Sequence, residues 1–253
     1  MPDLRLVSAD FLKLRRRRGM LALTLLGTLG VVALVFTVMT IQHATNPARY
    51  GPAGGLANYR DAIGVVSLLA LVAGVIVGGT AGTQDVESGV FRDLAATGRS
   101  RTALFLSRAA GALAVVLPIV GLTAAAVAAS SIGLKDGLAA PGTGTLVSGT
   151  AQVLAAGALS TAVAVGVATL VGSRGPVIGV LLAFFLGISP LLLAITFLGG
   201  VRQLVPDAAL SRIGHLDPPP GMHVSLGAAI AVVTGWIAVS LAAGAWRTRT
   251  REI

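Results

Sequence analysis

MLALTLLGTLGVVALVFTVMTI, residues 20–41, runs for 22 residues without a charge. At about 1.5 Å per helical residue it reaches about 33 Å, enough to cross the roughly 30 Å hydrocarbon core of a bilayer. A membrane strand needs only about ten residues and alternates polar with apolar side chains, which this run does not. In lipid its backbone must close its own hydrogen bonds, so the run is read as a helix.

Working outward, five comparable runs follow at 62–81, 102–129, 147–171, 177–198 and 224–246. They leave no room for a soluble domain. The composition agrees, with 55% hydrophobic and 11% charged residues where soluble domains carry roughly 25% charged residues. The expected fold is all-α and integral to the membrane: one transmembrane domain over residues 1–253 with six transmembrane helices. The first run is too long for a signal-peptide core and no small-residue cleavage site closely follows it, so it is expected to remain as a span.

Lysine and arginine set the orientation, because basic flanks are retained on the cytoplasmic side. Fourteen of the nineteen lie in the N-terminal flank, the second and fourth connections and the C-terminal tail; Arg49, Arg60, Lys135, Arg202 and Arg212 lie in the other connections. Both termini are expected to be cytoplasmic, in a cell membrane. The net charge of +9 then reads as a topology signal and a contact with anionic lipid, and nucleic acid is not needed to explain it. The preference for Arg over Lys and the wealth of Ala, Gly and Val point to a GC-rich, bacterial source.

Ahead of the first span, Leu4, Val7, Phe11 and Leu14 fall at helical spacing, with Arg5, Lys13, Arg15, Arg16, Arg17 and Arg18 supplying charge. This pattern predicts an amphipathic helix over 3–19 lying in the cytoplasmic interface, with Phe11 and Arg15 to Arg18 as its membrane contacts. A basic topology anchor without an ordered helix is the other reading. The connection 43–61 holds Asn46-Pro47, Gly51-Pro52 and Gly54-Gly55 and reads as irregular. Gly172 to Pro176 reads as a tight turn joining spans four and five. In the last connection, Pro206 to Ile213 reads as a short helix that begins at a proline and stops before Gly214.

Several chemistries lack their residues. No charge stands in the central part of any run, which argues against an ion-coupled carrier. The lysines, Lys13 and Lys135, stand in no phosphate-binding loop, so ATP is not expected to bind here. His215, Asp217 and His223 share a loop but match no metal-ligand spacing. Cysteine is absent, which removes disulfide and thiolate chemistry. No cofactor and no catalytic residue is assigned to this chain. Ser160 and Thr161 either line a cavity or bond the preceding helical turn or a neighbouring helix. Gly74, Gly78 and Gly82, spaced by four, permit close helix approach.

The stretch DVESGVFRDLAATGRSR, residues 85–101, carries six charged residues between the second and third spans. Val86, Val90 and Leu94 recur every fourth residue with Phe91 beside them. Asp85 and Glu87 stand at the start, where the helix dipole favours negative charge, and Gly98, Arg99 and Arg101 at the end. A short cytoplasmic helix over 84–98 is expected. The residues alone leave two readings open: a helix that docks into a partner's groove, or a charged loop that fixes topology.

The same stretch resembles the signature of the permease subunits of ATP-binding-cassette (ABC) transporters of the type 2 export class. Glu87, Gly89, Phe91, Leu94, Thr97, Gly98, Ser100 and Arg101 match a pattern of the form Glu-x-Gly-x-[Leu/Phe]-x-x-Leu-x-x-[Thr/Ser]-[Pro/Gly]-x-Ser-Arg. Arg108 stands where such permeases often carry a basic residue. Gly98 replaces a frequent proline, and Val90 a frequent threonine. The resemblance implies that 84–98 is a coupling helix, contacting a separate ATPase through Asp85, Glu87, Gly89, Phe91, Arg92, Leu94, Arg99 and Arg101. It also implies a second permease chain, identical or related, and ATP with Mg²⁺ held by the ATPase. With aromatics at only 4%, a hydrophobic drug or lipid suits the chain better than a polysaccharide gripped by ring stacking. A structural or regulatory membrane protein that docks a cytoplasmic partner without transport is the alternative.

Overall fold

The computed structural model describes residues 4–87, 100–215 and 222–250. Among the described residues six helices are long and apolar enough to cross a membrane. A shorter helix, α1 (Leu4–Arg15), precedes them and ends on Lys13 and Arg15, cations at the negative end of its dipole. The spans are α2 (Arg18–Thr45), α3 (Leu56–Glu87), α4 (Arg101–Gly133), α5 (Thr143–Val171), α6 (Arg174–Ala194) and α8 (Leu226–Thr250). Between the last two lie a 3₁₀ segment (Thr196–Leu204) and α7 (Pro206–Ile213).

Most helices run several residues beyond the apolar stretches that announce them. Hydropathy marks what is greasy; the hydrogen-bond ladder continues through the flanks until a backbone break ends it. Ser100 opens α4 by accepting from the Ala103 amide at 3.2 Å, and Gly172, at φ 79°, closes α5 in a conformation that only glycine adopts without strain. Wide π turns interrupt α2 at Leu26–Gly30 and α6 at Phe184–Ile188. The first is flanked by Thr24, and Thr24 and Thr28 both bond back to the preceding turn at 2.8 Å. The second stands just before Pro190, which lacks a ladder donor.

One predicted boundary needs correction. Span five ends at Ala194, not Leu198, because Ile195 is extended and Gly199 sits at φ 53°. The buried Arg202 guanidinium returns from the 3₁₀ segment and donates to the carbonyls of Leu193 (3.2 Å) and Gly199 (3.4 Å), satisfying carbonyls that the broken helix leaves open. The short helix expected over Pro206 to Ile213 is present with those bounds.

Helix α5 is the axis of the bundle. Its contact with α3 is built on small residues: an added Cβ at Gly78 would lie 2.5 Å from the Thr161 carbonyl oxygen and 2.9 Å from Ala164 Cβ. At Gly82 it would meet Ala168 Cβ at 2.5 Å and the Val165 oxygen at 2.9 Å, and at Gly74 it would strike the Ser160 hydroxyl. Hydrocarbon tails give no hydrophobic drive for helices to associate, so close backbone packing takes that role. Ser160 and Thr161 are fully buried in this seam and bond the preceding turn at Ala156 (2.9 Å) and Gly157 (2.6 Å). Of their two sequence readings the helical bond holds, and neither lines an open path. On the other side of α5, Gly166 receives the Ser240 backbone of α8, and Gly244 of α8 lies under the Phe105 ring.

At the end away from the termini, the connection 46–55 is pinned to the α4–α5 connection. Gly54, Gly55 and Leu56 amides donate to Leu134, Ser131 and Ala139 at 2.8–2.9 Å. His43 adds a contact to Asp136 at 3.2 Å.

Candidate functional site at the basic end of the bundle

The end carrying Arg15 to Arg18, Arg101, Arg174 and Arg247 gathers around the start of α4. Helix α1 lies directly on α4: an added Cβ at Gly111 would come within 3.0 Å of Asp10 Cβ and 3.1 Å of the Phe11 amide nitrogen. One turn earlier, the buried Ser107 hydroxyl donates to Asp10 Oδ2 at 2.6 Å, while Lys13 Nζ approaches Asp10 Oδ1 at 3.3 Å. Arg108, 3% exposed, borders a cleft of about 10 Å³ shared with Asp10, Lys13, Leu14, Ala81 and Gln84. A space that small holds at most about one water. Arg108, Asp10 and the last turns of α3 therefore border one small cleft. Burying a guanidinium is costly unless an opposite charge accompanies it, and Asp10 is the carboxylate lining that cleft.

The C-terminal helix joins the same cluster, with Arg249 Nε donating to Thr102 Oγ1 at 2.9 Å. Thus α1 and α8 are bonded to the first two turns of α4, the helix that follows residues 88–99, and α3 borders the same cleft.

Of the residues predicted to contact a partner, Gly89, Phe91, Arg92, Leu94 and Arg99 lie outside the described residues. Asp85 and Glu87 are on the backbone of α3, which is continuous from Leu56 to Glu87. This corrects the expected start of a separate helix at 84: Asp85 and Glu87 continue the helix of the span itself and do not open a new one. Arg101 is the first residue of α4 and half-buried. At the predicted membrane contact, Phe11 is half-buried and packs against the core, whereas Arg15, Arg16 and Arg18 are exposed and Arg17 partly so. Asp10, Ser107 and Gly111 were not singled out from sequence. Their signal was slight: Asp10 is the one acid in an otherwise basic helix, and Ser107 and Gly111 are small residues one turn apart beside Arg108.

A second polar site lies in the last connection. The Asp207 carboxylate accepts from the buried Ser189 hydroxyl at 2.6 Å, tying α7 to α6. Burial pushes the Asp207 carboxyl above its ordinary value, an effect the Ser189 bond partly offsets.

No curated protein matches the sequence. The profile of the family described as ABC-2 family transporter protein matches residues 6–190, from α1 through the second π turn in α6. That span includes the α1–α4 contact, the α3–α5 seam and both helices flanking residues 88–99. The chain belongs to the ABC-2 family of transporter proteins, as a multi-pass transmembrane transporter subunit.

Proposed function

We propose that this chain is the permease of an ATP-driven exporter, in which two such chains, identical or related, assemble with two ABC ATPase subunits to move an amphipathic drug-like or lipid-like compound. The basic end faces the cytoplasm, and the ATPase grips the last turn of α3, through Glu87, together with the segment that follows it. ATP and Mg²⁺ belong to the ATPase, and this chain performs no hydrolysis.

The observation that carries the reading is the family match across the helices that flank the docking segment. The fastening of the basic end supports the mechanical part. Because α3 continues without a break to Glu87, a push on the adjoining segment acts on a rod rather than through a hinge. The glycine seam passes that displacement to α5, and the Asp10–Ser107 and Arg249–Thr102 bonds carry α1 and α8 with α4. The apolar faces left exposed on α2, α6 and α8 are available to lipid and to the second permease chain.

The test is affinity purification of the tagged chain from its native membrane in mild detergent, with mass spectrometry of co-purifying proteins. The expected result is an ABC ATPase, lost in Glu87→Arg while membrane insertion is unchanged. Removing a charge from a buried contact costs about 2–5 kcal/mol, enough to deplete the complex. Absence of any ATPase, under conditions that preserve a known ABC complex, would overturn the reading.

A further inference from the structure

Between α2 and α3, toward the end opposite the basic one, a groove of about 220 Å³ opens on the side of the bundle. Val31, Val35, Phe36 and Met39 of α2 face Val65 of α3 across it, and Asn58 and Asp61 border one end. Val35 and Val65 are 46% and 50% exposed, so the groove is open to whatever surrounds the helices.

The polar end has a definite chemistry. Asn58 Nδ2 already donates to Pro52 O at 2.8 Å and Gly54 O at 2.9 Å, which uses both its hydrogens and leaves the amide oxygen. Asp61 is exposed, and among the described residues it forms no ion pair. Nearby cations are directed elsewhere. Arg60, one residue back, projects about 100° around the helix; His43 faces the Tyr50 carbonyl and Asp136; Arg49 lies over the Tyr50 ring at 5.4 Å. The mouth therefore offers acceptors and a negative charge, and the walls offer hydrocarbon. Asp61 also immediately precedes the apolar run beginning at Ala62, which places it where α3 leaves the hydrocarbon and where the head of an inserted amphiphile resides.

We propose that this groove binds the ammonium end of a cationic amphiphile, a hydrophobic amine entering from the lipid side. An anionic head is repelled by Asp61, and a neutral hydroxyl head can donate to it but brings no positive charge, so only an ammonium joins a hydrogen bond to an opposite charge. The volume is below the roughly 300–1,000 Å³ of a pocket that encloses a whole small molecule, so the groove takes the head and first part of the chain while the rest stays in lipid. As a substrate class, hydrophobic amines rest on the exporter reading above; the binding itself does not.

The test uses the purified full chain in phosphatidylcholine nanodiscs, without ATPase, and tritiated dodecylamine at neutral pH. Saturable binding is expected, displaced by unlabelled dodecylamine and not by equal concentrations of dodecanol or dodecyl sulfate. Asp61→Asn should weaken it about tenfold or more, the usual worth of a hydrogen bond to a charged group, while Asp61→Glu retains it. Val65→Trp, which fills the groove and leaves the charge, should weaken it comparably; both positions are exposed, so neither change disturbs the core. Unchanged binding in Asp61→Asn, equal displacement by dodecanol, or no saturable binding because lipid or a second copy covers the groove would each overturn the proposal. Failure here with an ATPase still co-purifying removes only the ligand; amine binding with no ATPase removes only the exporter.

Discussion

The α3–α5 seam and the α8 surface are both built from Ala, Gly and Val, yet about 72% of the most apolar stretch of α5 is buried against 11% for α8. Composition cannot separate them, because lipid and protein interior are equally apolar. What separates them is glycine register. Gly74, Gly78 and Gly82 all fall on one face and all meet α5 backbone or short side chains. On α8, Gly244 meets Phe105 and Gly166, whereas Gly227 and Gly235 meet nothing within 4 Å. A small residue in a membrane helix marks an interface only where a partner answers it, and a repeated register extends that interface along the helix.

The largest break in that comparison is Gly82→Ala, which puts a methyl against Ala168. We expect a loss of about 1–3 kcal/mol from overpacking, read as a lower unfolding midpoint of the purified protein, with partial recovery on adding Ala168→Gly. An unchanged midpoint would mean the seam is not close-packed.

A second prediction concerns the fastening at the basic end. Ser107→Ala removes the hydroxyl that donates to the largely buried Asp10 and should loosen α1 by about 1–3 kcal/mol. Faster tryptic cleavage at Arg15 to Arg18, with the rest of the bundle intact, is the readout. Cleavage at the wild-type rate would show that the bond does not hold α1 in place.

The smallest expected effect is at Asp207. Its carboxyl is raised in the folded protein, so the folded state binds the proton more tightly than the unfolded one. That contribution is fully present below the ordinary carboxylate value of 3.8 and is lost as pH rises through the higher folded value. At neutral pH the buried charge is therefore a cost. Asp207→Asn keeps an acceptor for Ser189 and should be neutral or slightly stabilising there, with wild type gaining on it as pH falls toward that value. A midpoint falling sharply in Asp207→Asn at neutral pH would contradict the assignment.

Much of the fold could be read from the residues because membrane spanning imposes one rule, a long apolar run closing its own hydrogen bonds. Pro206 and Gly214 bracket a short helix by backbone chemistry that is equally local, and so does Gly172 at the end of α5. What could not be read depends on side chains meeting across the chain. Arg202 ends α6 by reaching back to Leu193, and Asp10 finds Ser107 at a separation of 97 residues. The helical continuation of α3 through Glu87 was hidden for a different reason: once the apolar run stops, hydropathy carries no information about where the ladder ends.

The central claim, that the segment after α3 meets an ATPase, is tested most directly by cross-linking. The chain contains no cysteine, so Glu87→Cys and Asp136→Cys each provide a single thiol, at opposite ends of the bundle. With a thiol-anchored photo-cross-linker in native membranes, the account predicts an adduct with an ABC ATPase from Cys introduced at position 87 and none from position 136. No ATPase adduct from position 87, or equal adducts from both, would contradict it.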